Sequence, residues 1–305
     1  MSLLQTIPAA RASAPPLIDR PGRELERTHV SAGDGLSLAF AGLGAGTPVV
    51  LIHGVLTCLE DMIIALGGTL ASRYRVLAFD RPGCGRSASR RFVDAGFWRQ
   101  ARALNRALQA MEVQRPVLVG HSFGASVALA MALDRPERVG GVVAIAPLGR
   151  PEIRLEHALF GPRATPFVGD LIGLGARETT DRSLLPLLWR AMYLPQEMPR
   201  EVETEFPFAL AGRSDCGIRI GEDALAAGPD LVRLLAAAPR CTVPVRILGG
   251  DRDLVVRNGQ NGRLLAALMP EARFVDLPGL GHMAHHFAAQ DVAAAVDELA
   301  AASRG

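Results

Sequence analysis

Short apolar runs alternate with longer amphipathic stretches along most of this chain. Pro48–His53 (PVVLIH), Arg75–Phe79, Val117–Val119, Val139–Ala146, Pro244–Leu248 and Ala272–Leu277 are strand-length runs with little polar interruption. A run without polar alternation marks a strand covered on both faces, as in a parallel sheet. Between them, Leu59–Ser72, Trp98–Met111, Ala125–Leu133, Asn258–Met269 and Ala284–Ala302 read as helices, with Leu104, Leu108 and Met111 at helical spacing. Glu26–Ser31 and Leu36–Ala41 predict a hairpin around Ala32-Gly33-Asp34-Gly35. Strands alternating with helices predict an α/β fold with a doubly wound, mostly parallel sheet.

The rhythm stops between residues 149 and 239. Prolines recur at 151, 162, 166, 186, 195, 199, 207 and 229, and no parallel-sheet strand is legible. Bulky apolar residues crowd in, among them Phe160, Leu185, Trp189, Met192, Tyr193, Phe206 and Phe208. This stretch predicts an inserted helical cap of short helices over the sheet's C-terminal edge, part of it lining an apolar pocket. The α/β core is then 25–148 and 240–305. Residues 1–24, rich in Ala, Pro and Arg without a period, predict a flexible leader.

Composition narrows the class. The chain has 305 residues, enough for a sizeable core, and a formal net charge of +2, so no strong field points to nucleic acid or an anionic membrane. No apolar run approaches the length of a transmembrane helix. The N-terminus ends in Ala12-Ser13-Ala14 but lacks a basic segment, and Gln5 and Pro8 interrupt its apolar part, so no signal peptide is expected. Cys58, Cys84, Cys216 and Cys241 are scattered without metal-like spacing, which fits a reducing cytoplasm. Gly42-Leu43-Gly44-Ala45-Gly46 is followed by a strand rather than a helix, so it is a turn and not a dinucleotide loop. No motif calls for a metal or an organic cofactor, and the expected partner is a small-molecule substrate.

Candidate chemistry centres on Gly120-His121-Ser122-Phe123-Gly124. A G-x-S-x-G between a buried strand and a helix is a nucleophile elbow, which lifts the serine hydroxyl above the sheet. The helix behind it offers free N–H groups to a developing oxyanion. Serine needs an adjacent base, and the base needs a carboxylate to fix its tautomer. His282, in a glycine-flanked loop after the last strand, supplies the base; Asp251 and Asp253, after the preceding strand, are both available as the acid. The glycine after the PVVLIH strand permits close backbone approach, so Val55 and Phe123 are the candidate oxyanion N–H donors. His53 reads as a locally bonded turn histidine, His121 as a variable elbow position, and His285 and His286 as the start of the last helix.

LIHG at 51–54, DRPGCGRS at 80–87, GHSFG at 120–124, GGDRD at 249–253 and GLGH at 279–282 stand in one order over roughly residues 26–302. In this the chain resembles α/β-hydrolase-fold proteins with a lid, of the broad esterase, haloperoxidase-like and carbon–carbon-bond hydrolase group. The resemblance implies an eight-stranded sheet, Ser122 as nucleophile, His282 as base and, from the family's G-x-x-D pattern, Asp253 rather than Asp251 as acid. It implies a serine hydrolase acting through an acyl-enzyme on a small or medium carboxylic ester or thioester, and the Leu, Phe, Trp and Met content of the insertion points to an apolar acyl or aromatic group. Carbon–carbon hydrolysis or perhydrolysis on the same triad, and a non-catalytic ligand-binding homologue, are the alternatives. Serine at the elbow argues against the haloalkane-dehalogenase and epoxide-hydrolase branches, which use aspartate there.

Overall fold

The computed structural model describes residues 17–20, 22–152, 155–167 and 181–303, with 169, 171 and 175 singly. Eight strands form one sheet: β1 (Thr28–Ser31), β2 (Ser37–Leu43), β3 (Pro48–Ile52), β4 (Arg75–Phe79), β5 (Val117–His121), β6 (Gly141–Ile145), β7 (Val245–Gly250) and β8 (Ala272–Leu277). Their spatial order is β1-β2-β4-β3-β5-β6-β7-β8. β2 runs antiparallel to β1 and β4, with Thr28 opposite Phe40 and Phe40 opposite Phe79; every other pairing is parallel.

The apolar runs are continuous because both faces are covered. In β3, Val50 and Ile52 pack with Phe79, Leu118 and the helices α2 (Phe97–Ala110) and α3 (Phe123–Asp134). Val49 and Leu51 point the other way, to α1 (Leu59–Ala71) and the C-terminal helix Ala289–Ala302. Helix α3 is buried without interruption from Phe123 to Ala132, which is why its sequence shows no polar face. The chain leaves β3 for β4 on one side and later returns to β5 on the other. A sheet order that reverses in this way opens a crevice beyond the strand ends, and both the His53–Leu56 segment and Ser122 follow those ends.

Between β6 and β7 lie α4 (Leu155–Phe160), α5 (Arg182–Tyr193), α6 (Arg200–Glu205), α7 (Phe208–Ala211) and α8 (Ser214–Ala237). They gather a third apolar cluster, in which Phe160, Leu185, Trp189, Phe206 and Phe208 pack with Leu56, Cys58 and Met283 of the sheet body. The expectation of short helices fails at α8, which runs for 24 residues with Pro229 inside it. A proline inside a helix removes one donor and frees the carbonyl four residues earlier. Here Pro229 is exposed and that residue is Leu225, also exposed, so water can satisfy the freed group.

Three further expectations need correction. Residues 1–16 of the expected leader lie outside the described residues, but from Leu17 the chain is anchored: Leu17 and Ile18 are buried beside the third cluster, and Arg23 N–H donates to Glu205 O at 2.7 Å. The helix expected from Asn258 begins only at Gly262 (α9, Gly262–Leu268), because Asn258 and Asn261 spend their side chains on loop backbone at Gly250, Gly149 and Arg150. The helix expected over Ala284–Ala302 is a 3-10 turn at Ala284–His286, then α10 (Ala289–Ala302).

Candidate active site

Ser122 sits between the end of β5 and the start of α3 with φ 54° and ψ −119°, a left-handed conformation rarely open to a residue with a side chain. The glycines on either side make this turn possible. A Cβ on Gly120 would lie 2.4 Å from Gly124 O, and one on Gly124 would lie 2.3 Å from Ile52 O. Ser122 N–H donates to Ile145 O at 2.8 Å, so the strained residue is tied to β6.

The loop after β8 brings His282 over this turn. Its Nε2 lies 3.1 Å from Ser122 Oγ and its Nδ1 lies 2.9 Å from Asp253 Oδ2. All three residues are buried. Asp253 Oδ1 accepts the Val255 and Val256 N–H groups, each at 2.8 Å, and Oδ2 also accepts Asn258 Nδ2 at 3.0 Å. Burial alone would raise this carboxyl; the electrostatic attraction of the His282 ring and its hydrogen bond, with the two backbone donors, outweigh burial and hold it below the ordinary aspartate value. An ionised carboxylate only accepts, so His282 Nδ1 carries the proton and Nε2 keeps a lone pair for the serine hydroxyl. Asp251 faces elsewhere: it is exposed, and its Oδ1 accepts Gly279 N–H at 2.6 Å, bracing the His282 loop.

Val55 follows β3 and Phe123 opens α3. Among the described residues neither N–H has a protein acceptor. Both residues line a narrow cavity of about 20 Å³ with Leu148, Ile220, Ala224 and Ala227. His53, just before Val55, has a fixed tautomer. Its Nε2 accepts Arg81 N–H at 3.0 Å, so its Nδ1 carries the proton and donates to Gly54 O at 2.8 Å. Burial, reinforced by Arg81, lowers its pKa to about 3, so the ring is neutral.

The model for the alpha/beta hydrolase fold matches residues 47–289. The chain belongs to the alpha/beta hydrolase fold family. It is an enzyme of that family, similar to the putative carbamate hydrolase RutD of Klebsiella pneumoniae strain 342, with 30% identity over 247 residues, 78% of this chain and 85% of the relative. Among solved structures it is similar to a thermophilic esterase from Thermogutta terrifontis, at TM-score 0.71 and 21% identity over 92% of this chain and 100% of that one. The enol-lactonase of Burkholderia xenovorans LB400 matches at TM-score 0.72 and 20% identity, over 90% of this chain and 100% of that one. These structural likenesses speak to fold. No helix among the described residues is long and apolar enough to cross a membrane.

Sequence reasoning about this hydrolase missed several residues. His121 is not a free elbow position: with His282 O as acceptor, its Nε2–H donates at 3.1 Å and ties the elbow to the His282 loop. Burial, then the neighbouring His285 and His282, hold its pKa well below the ordinary histidine value. Asn258 carries no local signal for its role at Asp253. The largest omission is Asp61 on α1, whose carboxylate meets His285 Nε2 at 3.1 Å and His286 Nε2 at 2.9 Å. Tyr193 Oη lies 3.3 Å from the same His286 nitrogen. Among the described residues, Asp61, His285 and His286 could hold a metal ion by proximity, with ligand atoms within 4.8 Å of one another. The other such set, Cys58, Glu60 and Asp80, already holds a cation: Arg27 bridges Glu60 at 2.8 Å and Asp80 at 2.7 Å.

Proposed function

We propose that this alpha/beta hydrolase is a serine hydrolase that cleaves a small or medium apolar carboxylic ester or thioester through an acyl-enzyme. One observation carries the reading: the hydrogen-bonded line Ser122 Oγ, His282 Nε2, His282 Nδ1, Asp253 Oδ2, at 3.1 and 2.9 Å, beside two uncommitted N–H groups. In the first half-reaction Ser122 Oγ attacks the carbonyl carbon while His282 Nε2 takes the hydroxyl proton. Asp253 keeps the imidazole oriented and stabilises the imidazolium. The carbonyl oxygen becomes an oxyanion, held by the Val55 and Phe123 N–H groups. As the tetrahedral species collapses, His282 gives its proton to the departing oxygen or sulfur. Water then enters, loses a proton to His282 and releases the acid, and Ser122 regains its hydrogen.

The elements between β6 and β7 act as the cap in this reading. Ser122 is 3% and His282 2% exposed, so substrate entry requires the elements around them to move. The narrow space beside the oxyanion donors, lined by Leu148, Ile220, Ala224 and Ala227 and also by Glu156, His157 and Asp223, favours a short acyl chain. Hydrolysis of p-nitrophenyl acetate, butyrate and octanoate tests this, with an aryl carbamate included because one relative bears that name. The expected order of kcat/KM is acetate and butyrate well above octanoate, all abolished by Ser122→Ala. Equal turnover of all chain lengths would contradict the short-acyl reading. Activity that survives Ser122→Ala would contradict the mechanism.

A further inference from the structure

The Val55 N–H has no side chain to aim it; its direction is that of the Gly54–Val55 peptide. In a trans peptide the C=O and N–H point opposite ways, so whatever grips Gly54 O aims Val55 N–H. The structure shows a tight grip. Arg81, fully buried, donates through Nη2 to Gly54 O at 3.1 Å and through Nε to His53 O at 3.0 Å. His53 Nδ1 and Thr57 Oγ1 converge on the same Gly54 carbonyl at 2.8 and 3.3 Å. The guanidinium also lies 4.6 Å from the ring centroid of Phe123, whose own N–H is the second candidate donor.

Arg81 is in turn held from the far side of the crevice. Its Nη1 donates to Asp223 Oδ2 on α8 at 3.0 Å, and to Gln100 Oε1 at 2.9 Å. Asp223 is itself fixed by Gly96 N–H at 3.1 Å and Gln100 Nε2 at 2.9 Å through its other oxygen. On the other flank of Val55, Trp189 of α5 donates its indole N–H to Leu56 O at 2.9 Å. Leu56 has φ 57°, a left-handed conformation that a leucine keeps only where its surroundings insist on it. The Gly54–Val55 peptide, through one guanidinium, and the Leu56–Thr57 peptide, directly, are thus bonded to residues between β6 and β7.

We infer that Arg81, Asp223 and Trp189 are positioning residues for the oxyanion hole, so that the Val55 N–H is aimed only when the β6–β7 elements are seated. This rests on the acyl-transfer reading above. When those elements lift, Arg81 loses its carboxylate and Leu56 its indole donor, and the strained 54–56 segment is free to rotate. Seating them over a bound substrate restores both contacts. Ester cleavage is thereby coupled to closure, and an open site does not waste its strained backbone on solvent.

Two variants test this. Trp189→Phe keeps an aromatic ring but removes the N–H together with part of the indole; Asp223→Asn keeps the shape and removes the charge. Crystal structures of both are expected to show the 54–56 segment rotated or split between two orientations. With an ester substrate, kcat is expected to fall about 10-fold in each and about 100-fold or more in the double variant, near the loss of one oxyanion donor, with KM within about threefold. Affinity for a trifluoromethyl ketone, which mimics the tetrahedral species, is expected to fall by the same factor as kcat/KM. A merely structural role would lower Tm and leave kcat and the ketone affinity unchanged below it. The wild-type orientation of segment 54–56 in both variants would overturn the inference whatever the activity. If wild-type enzyme cleaves no ester and the segment still moves, the hydrolysis reading fails and the positioning stands.

Discussion

Two histidine–aspartate constellations stand side by side after β8, and only one is arranged for proton transfer. In Ser122–His282–Asp253 a single imidazole uses its two nitrogens on two different partners, a hydroxyl at Nε2 and a carboxylate at Nδ1. In Asp61–His285–His286 one carboxylate is shared between two imidazoles, and the Tyr193 hydroxyl approaches the same Nε2 that already meets Asp61. A relay needs a path through both nitrogens of one ring, and among the described residues the second cluster shows contacts at Nε2 alone. Burial, then Asp61 opposing it, leaves the His285 pKa lowered to about 4, so this imidazole is a neutral partner at physiological pH. The second cluster joins α1 to the turn that follows His282. Residue types do not separate the two; the nitrogens they use do.

The sharpest way to break the comparison is to remove the hydroxyl. Ser122→Ala is expected to lower kcat by about five to six orders of magnitude with the fold intact, and a loss under tenfold would end the assignment. Asp253→Asn leaves the geometry and removes the charge that orients His282; the expected loss is about 10⁴-fold in kcat. Asp61→Ala should behave differently, because it touches no reacting atom. It strands two buried imidazoles and is expected to cost about 3 kcal/mol of stability, measured by urea unfolding, with kcat within tenfold at temperatures where the protein is folded. A thousandfold loss of kcat at unchanged stability would move Asp61 into the chemistry.

The smallest expected effect is on pH. His53 and His285 are neutral in the fold, with pKa values lowered to about 3 and about 4 from 6.5. Between those values and 6.5 the unfolded chain binds protons that the folded chain does not. Their contribution is therefore fully present above about pH 6.5 and is lost as the pH falls toward 4. Melting at pH 7.5 and pH 5 should show Tm lower by several degrees at the acid end, ahead of any protonation of the depressed Asp253 carboxyl. A flat Tm across that window would contradict the buried, neutral assignment.

What could be read from the chain was what is local. PVVLIH and VLV show both-face burial in consecutive residues, and the Ser122 elbow is complete within five. Val55, Phe123 and His282 follow from their places just past strand ends; strand assignment left Asp251 and Asp253 level, and the resemblance's G-x-x-D pattern chose Asp253. The rest pairs residues far apart with nothing in common along the sequence. Asp61 and His285 are separated by 224 positions, and Arg81 and Asp223 by 142. A buried charge is settled only by the partner the fold delivers, so Asp61, Arg81 and Asp223 look like surface charges in a linear reading. Pro229 misled in the opposite sense: read as a break, it lies on the exposed side of α8, where a missing donor costs least. Leu17 and Ile18 sit in a stretch without periodicity, and only the cluster around Trp189 gives them a place.

The central claim is that Ser122 is an activated nucleophile, and its most direct test is covalent labelling with a fluorophosphonate followed by intact mass and peptide mapping. A single adduct on Ser122 of wild-type protein, absent in Ser122→Ala and slowed at least a thousandfold in His282→Ala, is the predicted result. No adduct on folded wild-type protein, or an adduct that forms as fast in His282→Ala, would contradict it.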